Sequence, residues 1–452
     1  MKIIIVGLGK VGTTLAAELC NEENEVTVID RREEIVEEFS GQYDLMGITG
    51  NGASHSTQVE AGIEEADLLI AVTGSDEINL LCCLMAKDGG SCHSIARVRN
   101  PEYNSEIGFI REKFGISMTI NPDLAAAAEI ARNLKFPSAI DVDSFAKNRV
   151  DILKFRVREQ SVLDGLRIAD LSGKVHENVL ICAVERGDDL IIPDGNTVLH
   201  GKDLVSIVEG SNDANLFFRK IGIVSNRVNS IMIVGGSPMA FYLAKMLEVV
   251  GIRVKIVEKS MKRCEELSEM LPKATIVHGD GTEKELLLEE GLEEYESFAA
   301  LTNIDEENIL ISLYAKKIGG QKKIITKINR IAFDEVIREL DLDTVVHPRD
   351  ITAELIIRYA RSMNNSYGSN VETLHKIING KAEALEFIIR GSSRVTGISL
   401  QELPIRKGIL VACIYRHGRI IIPRGADRIE AGDNVIIVTQ EKGLDDIEDI
   451  LA

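Results

Sequence analysis

The stretch KIIIVGLGKVGTTLAAELCNEENEVTVID, residues 2–30, decides the fold. Ile3, Ile4, Ile5 and Val6 form a short continuous apolar run, the pattern of a parallel strand buried on both faces. Gly7-Leu8-Gly9-Lys10-Val11-Gly12 follows at once, a helical segment comes next, and Val26, Val28 and Ile29 make a second strand ending at Asp30. This G-x-G-x-x-G gives each glycine a role: Gly7 makes the tight turn, Gly9 lets backbone approach a pyrophosphate, and Gly12 lets helix and strand lie close. The phosphates would meet free N–H groups at the helix N-terminus. Asp30 lies eighteen positions after Gly12, where an acid accepts hydrogen bonds from ribose hydroxyls. It favours NAD over NADP but admits ATP or ADP equally, and Arg31 and Arg32 beside it are what a 2′-phosphate would want.

At 452 residues and 45% hydrophobic content, the chain has length for about three domains and ample material for their cores. A net charge of −19 argues against nucleic acid, whose binding needs clustered Lys and Arg, and against direct contact with an anionic membrane surface. No apolar run reaches membrane-span length and no signal-peptide pattern precedes the first strand, so a cytosolic protein is expected. The seven cysteines are scattered without C-x-x-C spacing, as expected of reduced thiols, mostly small core residues. No metal site and no catalytic constellation is expected.

Outward from Asp30, Gly50-Asn51-Gly52 follows a short strand at residues 44–48, at the ligand edge of an open α/β sheet, where Asn51 could meet adenine or ribose. Leu68 to Val72 is a fourth strand, and Thr73 and Gly74 just beyond it could reach the middle of a dinucleotide; equally, Ser75 or Asp76 caps the helix that follows. Ile95 to Val98 is a fifth strand, with Arg97 and Arg99 expected on opposite faces and one of them at the ligand edge. A sixth strand at 116–120 and the break Asn121-Pro122-Asp123 lead to the helix Leu124 to Leu134, whose alanines suit close helix packing or dimerisation. From Asp151 the period becomes that of strands, in a small α+β module.

The chain then begins again. Residues 230–240, SIMIVGGSPMA, match residues 2–12 at a shift of 228, and Glu258 matches Asp30 at the same shift. Gly279-Asp280-Gly281 answers Gly50-Asn51-Gly52, Thr302 with Asp305-Glu306 answers Thr73 with Asp76-Glu77, and His347-Pro348 answers Asn121-Pro122. The closing module repeats too, Ile420 to Pro423 matching Leu190 to Pro193. The expected fold is therefore α/β: two Rossmann domains with doubly wound parallel sheets, each followed by a small α+β module, in tandem. The expected bounds are 1–135, 141–225, 229–362 and 371–452. In the second fingerprint Ser237 replaces the second glycine and Ala240 the third, with Pro238 in the slot of Lys10. Ser237 puts a Cβ where backbone should approach phosphate, although its hydroxyl could donate a hydrogen bond instead. The candidate site is thus Gly7, Leu8, Gly9, Lys10, Val11, Gly12, Asp30, Asn51, Thr73, Gly74 and Arg97, with Gly235, Gly236, Ser237 and Glu258 in the second half.

With these elements in that order, the whole chain resembles the TrkA family, regulatory subunits of bacterial Trk potassium-uptake systems built from tandem RCK (or KTN) nucleotide-binding domains, each followed by a TrkA-C domain. The resemblance implies that Gly7, Gly9, Gly12, Asp30, Thr73, Gly74 and Arg97 contact nucleotide, and that Gly235, Gly236, Ser237 and Glu258 do so in the second half. It implies NAD(H), or ATP and ADP, as ligand, and a homo-oligomer, dimer or tetramer, that forms a gating ring. It further implies docking at the inner face of the membrane on a TrkH- or KtrB-like potassium-transporting subunit, gated by the bound nucleotide. The alternative is an NAD-dependent dehydrogenase with tandem Rossmann domains. A dehydrogenase joins its Rossmann domain to a larger domain bearing substrate pocket and acid–base residues, and the short module here offers neither.

Overall fold

The first strand, β1 (Lys2–Val6), is flanked on both sides by parallel partners, which is why four successive apolar residues suit it. With β2 (Glu25–Asp30), β3 (Met46–Thr49), β4 (Leu68–Ala71), β5 (His93–Arg97) and β6 (Met118–Ile120) it forms a six-stranded sheet ordered β3-β2-β1-β4-β5-β6. This order reverses between β1 and β4, so the carboxyl ends of these two strands flank a topological switch point. The structure, a computed structural model, describes the chain except residues 23, 44, 90–91, 137–138, 146–148, 172–178, 188, 210–213, 223–227, 322, 330–336, 338–339, 341, 366–370, 378–381, 442 and 445.

A five-stranded antiparallel sheet follows, built from β7 (Asp141–Phe145), β8 (Val150–Arg156), β9 (Val179–Arg186), β10 (Asp189–Ile191) and β11 (Leu204–Glu209) in the order β10-β9-β11-β8-β7. The second parallel sheet, from β12 (Ser230–Val234), β13 (Arg253–Glu258), β14 (Thr275–His278), β15 (Ser297–Ala300), β16 (Lys323–Lys327) and β17 (Thr344–Val346), has the order β14-β13-β12-β15-β16-β17, that of the first. Finally β18 (Val371–Ile377), β19 (Ala382–Ile388), β20 (Ile409–Arg416), β21 (Arg419–Ile421) and β22 (Asn434–Thr439) reproduce the first antiparallel sheet as β18-β19-β22-β20-β21. The edge strands β7 and β18 were not anticipated from the sequence. No helix among the described residues is long and apolar enough to cross a membrane.

Like packs with like rather than neighbour with neighbour in the chain. One compact unit holds Met1–Ile130, Ser230–Gly320 and Ile324–Ala360, bringing the two parallel sheets together; the other holds Ala131–Asn229, Gln321–Lys323 and Arg361–Ala452, with both antiparallel sheets. In the second unit the antiparallel sheets share a core in which Cys182 and Ala183 meet Ala384, Ala412 and Cys413, small side chains that let two sheets approach. Each of its modules carries the same ion pair: Arg186 grips Asp203 at 3.0 and 2.7 Å, and Arg416 grips Asp433 at 2.7 and 2.8 Å. Burial pushes the Cys413 thiol up to about 12, and Cys82 likewise, so both serve as small apolar groups.

Asn121-Pro122-Asp123, read above as a break, is a helix start. The helix runs Pro122–Lys135; proline takes its first position, where a missing N–H costs nothing, and Asn121 Oδ1 accepts the Leu124 N–H at 3.0 Å. Ala126 and Ala127 on this helix are fully buried within the chain.

Candidate functional site

The glycine turn has the geometry its spacing implies. Gly7 has φ +102°, open to glycine but not to side chains, and an added Cβ would sit 3.0 Å from the Thr73 backbone. A Cβ on Gly12 would lie 1.8 Å from the Gly7 carbonyl oxygen, so helix Lys10–Cys20 touches the strand turn backbone to backbone. At Gly9, the residue preceding that helix, an added Cβ would meet nothing within 4 Å. It would project into open space where helix N–H groups lack partners, the place for an anion. Gly52 closes the next turn by lying against β1, since a Cβ there would be 2.1 Å from Val6 Cγ1.

Asp30 organises this turn. Its Oδ2 accepts the Leu8 N–H at 2.7 Å, and Arg32 donates to it from the backbone N–H at 3.1 Å and from the guanidinium at 3.0 Å. Burial alone would raise the Asp30 carboxyl, but the hydrogen bonds from Arg32 and Leu8 outweigh it and hold the group below its ordinary value. Asn51 Oδ1 accepts from Arg31 at 3.0 Å, which fixes the neighbouring loop.

At the switch point a residue missed in the sequence holds the strand ends together. Asn79, fully buried on helix Asp76–Gly89, accepts the Thr73 N–H at 2.8 Å and the Thr73 hydroxyl at 2.7 Å through Oδ1, and donates to the Arg97 carbonyl at 2.9 Å. Asn308 repeats this in the second half, with Thr302 at 3.0 and 2.8 Å and the Lys327 carbonyl at 2.9 Å. The Thr73 hydroxyl is thus engaged by protein, although Thr73 faces the cleft. Ser75 is the cap, its Oγ accepting the Ile78 N–H at 3.2 Å, whereas Asp76 accepts the N–H groups of Arg99 and Asn100, each at 2.8 Å. Replacing Asn79 with alanine should strand buried donors and acceptors and cost about 2 kcal/mol in urea unfolding. Asn308→Ala should cost a similar amount, and a loss below about 0.5 kcal/mol at either would remove the role assigned here.

Arg97 and Arg99 correct the sequence expectation. Residues two apart on a strand share a face, so they do not point apart; both line the same cleft. Arg97 donates to the Thr73 carbonyl, and Arg99 Nε pairs with Asp123 Oδ2 at 3.1 Å.

These elements surround a cleft of about 790 Å3, within the range of nucleotide-sized sites. Of the candidate residues, Gly7, Gly9, Lys10, Val11, Asp30, Asn51, Thr73, Gly74 and Arg97 line it. Leu8 and Gly12 do not: Leu8 is buried and supplies its N–H to Asp30, and Gly12 serves helix packing. The far wall comes from the second Rossmann domain through Asn303, Lys327, Asn329, Pro348 and Arg349, none of them anticipated. Lys327 stands to Asn308 as Arg97 stands to Asn79, and Pro348 opens its helix as Pro122 does, so two equivalent strand-end edges face one another. Across the same unit Asn121 Nδ2 donates to the Tyr242 hydroxyl at 3.1 Å.

Gly235, Gly236, Ser237 and Glu258 lie at the equivalent turn of β12 and β13, outside this cleft. Gly235 has φ +99°, and Glu258 Oε2 accepts the Gly236 N–H at 2.6 Å, one methylene longer than Asp30 yet reaching the matching amide. Arg263 donates to the Gly236 carbonyl at 2.8 Å, as Arg32 Nη2 donates to the Leu8 carbonyl at 3.2 Å. Ser237 differs from Gly9: its Oγ accepts the Ala240 N–H at 3.4 Å, capping helix Pro238–Val249 and occupying the space left open at Gly9. Gly9→Ser should therefore leave thermal stability within about 0.5 kcal/mol of wild type while weakening nucleotide binding at the first site. Unchanged affinity would show that Cβ-free approach is not needed there.

The fold matches that of RCK assemblies. The crystal structure of the GsuK RCK domain superposes with a TM-score of 0.62 at 16% identity, covering 98% of this chain and 93% of that one. The GsuK channel bound to NAD gives 0.62 at 17% identity over 98% of this chain and 77% of the other. The TrkA-N domain model matches residues 3–122 and 231–348, and the TrkA-C domain model matches residues 152–222 and 384–452. A "Trk system potassium uptake protein TrkA homolog" from Archaeoglobus fulgidus is 34% identical over 450 residues, covering 100% of both chains. "Trk system potassium uptake protein TrkA" from Haemophilus influenzae is 32% identical over 98% of this chain and 96% of its own length. The chain belongs to the TrkA family.

Proposed function

We propose that this chain is a nucleotide-sensing regulatory subunit of a potassium-uptake system, acting by occupancy rather than turnover. The observation that carries this reading is the cleft, where a phosphate-accepting glycine turn and Asp30 on one Rossmann domain are faced by a wall from the other. A ligand held there touches both domains and can shift their packing, because its contacts depend on how the two lie. The names of the TrkA relatives and the NAD bound to the GsuK channel support the direction of the reading. In it, Gly7, Gly9, Lys10, Asp30, Asn51, Gly74 and Arg97 bind NAD(H) or an adenine nucleotide. Gly235, Gly236, Ser237 and Glu258 form a second, different site. Four domains with the bounds given above assemble as a homo-oligomer on the cytoplasmic side of a TrkH- or KtrB-like membrane subunit.

Calorimetric titration of NADH, NAD, ATP and ADP into the intact chain tests this directly. Binding of at least one, with no consumption of NADH when candidate oxidants are added, is the expected result. Failure of all four to bind would overturn the sensor, and steady NADH oxidation would restore the dehydrogenase.

A further inference from the structure

The loop Gly50-Asn51-Gly52, one rim of the cleft, is held differently from its counterpart Gly279-Asp280-Gly281. In both, the last glycine presses on the first strand of its sheet: an added Cβ would lie 2.1 Å from Val6 Cγ1 at Gly52 and 2.3 Å from Val234 Cγ1 at Gly281. Beyond that the halves part. Asp280 uses its whole side chain on its own loop: Oδ1 accepts the Thr282 N–H at 3.0 Å and the Thr282 hydroxyl at 2.7 Å, and Oδ2 accepts from Lys259 at 2.5 Å. Asn51 uses only its oxygen, toward Arg31 at 3.0 Å and the Ala53 N–H at 3.3 Å, and its Nδ2 makes no hydrogen bond among the described residues.

Gln58 supplies the hold that Asn51 does not. It is fully buried on helix His55–Glu60, and its Nε2 donates to the Gly52 carbonyl at 2.7 Å and to the Cys82 carbonyl at 3.0 Å. Cys82 lies on helix Asp76–Gly89, one turn beyond Asn79, which grips Thr73 and the Arg97 carbonyl at the other rim. One helix therefore anchors both rims. The arrangement carries a cost, because Gln58 Oε1 is buried without a hydrogen-bond partner among the described residues, and an amide oxygen taken out of water unpaired disfavours folding. A leucine would avoid that cost, and a leucine is what the second half has. Gly281 and Asn308 answer Gly52 and Asn79 at a shift of 229, and at the same shift Leu287, also buried, answers Gln58. A glutamine kept at an unsatisfied buried position, where the same fold accepts leucine, serves something other than packing.

We infer that Gln58 is a positioning residue of the first cleft. From inside the domain it ties the Gly52 carbonyl to helix Asp76–Gly89, and so fixes Asn51 at the cleft edge while leaving the Asn51 amide group to donate to the bound nucleotide. The inference rests on the nucleotide reading above, and it adds to Ser237 a second reason for the two halves to bind differently. A loop held by a buried strap is ordered before the ligand arrives, so less conformational freedom is lost on binding.

The test is calorimetric titration of NADH, NAD, ATP and ADP into the intact chain, and of the tightest binder into Gln58→Leu, Gln58→Met, Asn51→Ala and the double variant Asn51→Ala with Gln58→Leu, each also melted thermally. Both Gln58 variants should unfold within about 5 °C of wild type, since Leu287 fills the equivalent place in the second half. They should nevertheless bind roughly tenfold more weakly at the first site. In the Asn51→Ala background the same Gln58→Leu step should cost less than about threefold, because the group it positions is gone. Unchanged affinity in both Gln58 variants, or an equal loss with and without Asn51, would overturn the positioning role. A fall in unfolding midpoint beyond that range in both would also overturn it, by making Gln58 a residue of the fold alone. Failure of wild type to bind any of the four nucleotides would instead overturn the nucleotide reading itself.

Discussion

Gly12→Ala is expected to destabilise the first Rossmann domain by about 3 kcal/mol or more, a large part of a typical folding free energy. The added methyl group would lie 1.8 Å from the Gly7 carbonyl oxygen, and what it meets is backbone, not the tip of a side chain that could rotate away. Gly7 cannot yield, because its φ of +102° and its 3.0 Å approach to Thr73 already fix the turn. The remaining escape is for helix Lys10–Cys20 to lift off the sheet, which would uncover Leu15, Ala16 and Leu19, all fully buried. Urea unfolding should show the transition moved to lower denaturant, and nucleotide should restore only part of the loss by mass action. A variant as stable as wild type would mean that the helix can move without cost.

What the sequence made legible was local. The continuous apolar run of β1, the spacing of Gly7, Gly9 and Gly12, and the acid ending β2 each follow from a short-range physical requirement, and the second copy, with Glu258 for Asp30, doubled the signal. Distant relations were not legible. Lys327 and Arg349 join the first cleft from more than two hundred residues away, and nothing in a lysine at a strand end says which cleft it faces. Asn79 looks like any polar residue on a helix until the Thr73 and Arg97 carbonyls are placed beside it. β7, with the sequence DVDSF, is too short and polar to stand out, and gains its strand identity by pairing with β8. The packing of like domain with like is also non-local, since the repeat gives two copies of each fold without saying which copies touch. The error over Arg97 and Arg99 was of another kind, because the period of two places them on one side.

Asp30→Ala is expected to weaken nucleotide binding by ten- to a hundredfold at the first site, from the loss of charge-assisted hydrogen bonds worth about 1.5 to 3 kcal/mol. The structure adds a second consequence. The same carboxylate anchors the Leu8 N–H and orients Arg32, so the alanine variant should also loosen the glycine turn and lower stability by about 1 kcal/mol. Asp30→Glu separates the two effects, since Glu258 shows that a glutamate reaches the corresponding amide, at 2.6 Å. It should keep the turn and the stability, while its longer arm shifts the acceptor for ribose and weakens binding only a few-fold. The pH dependence has a definite sign. A carboxyl held below its ordinary value when folded contributes stability above its unfolded pKa and loses it as pH falls through the lower folded value. Binding through Asp30 should therefore be flat from about pH 8 to about pH 5 and decline only in stronger acid. Unchanged affinity in the alanine variant, measured at the first site with Ser237 and Glu258 intact, would remove Asp30 from the ligand and leave it as the anchor of the turn alone.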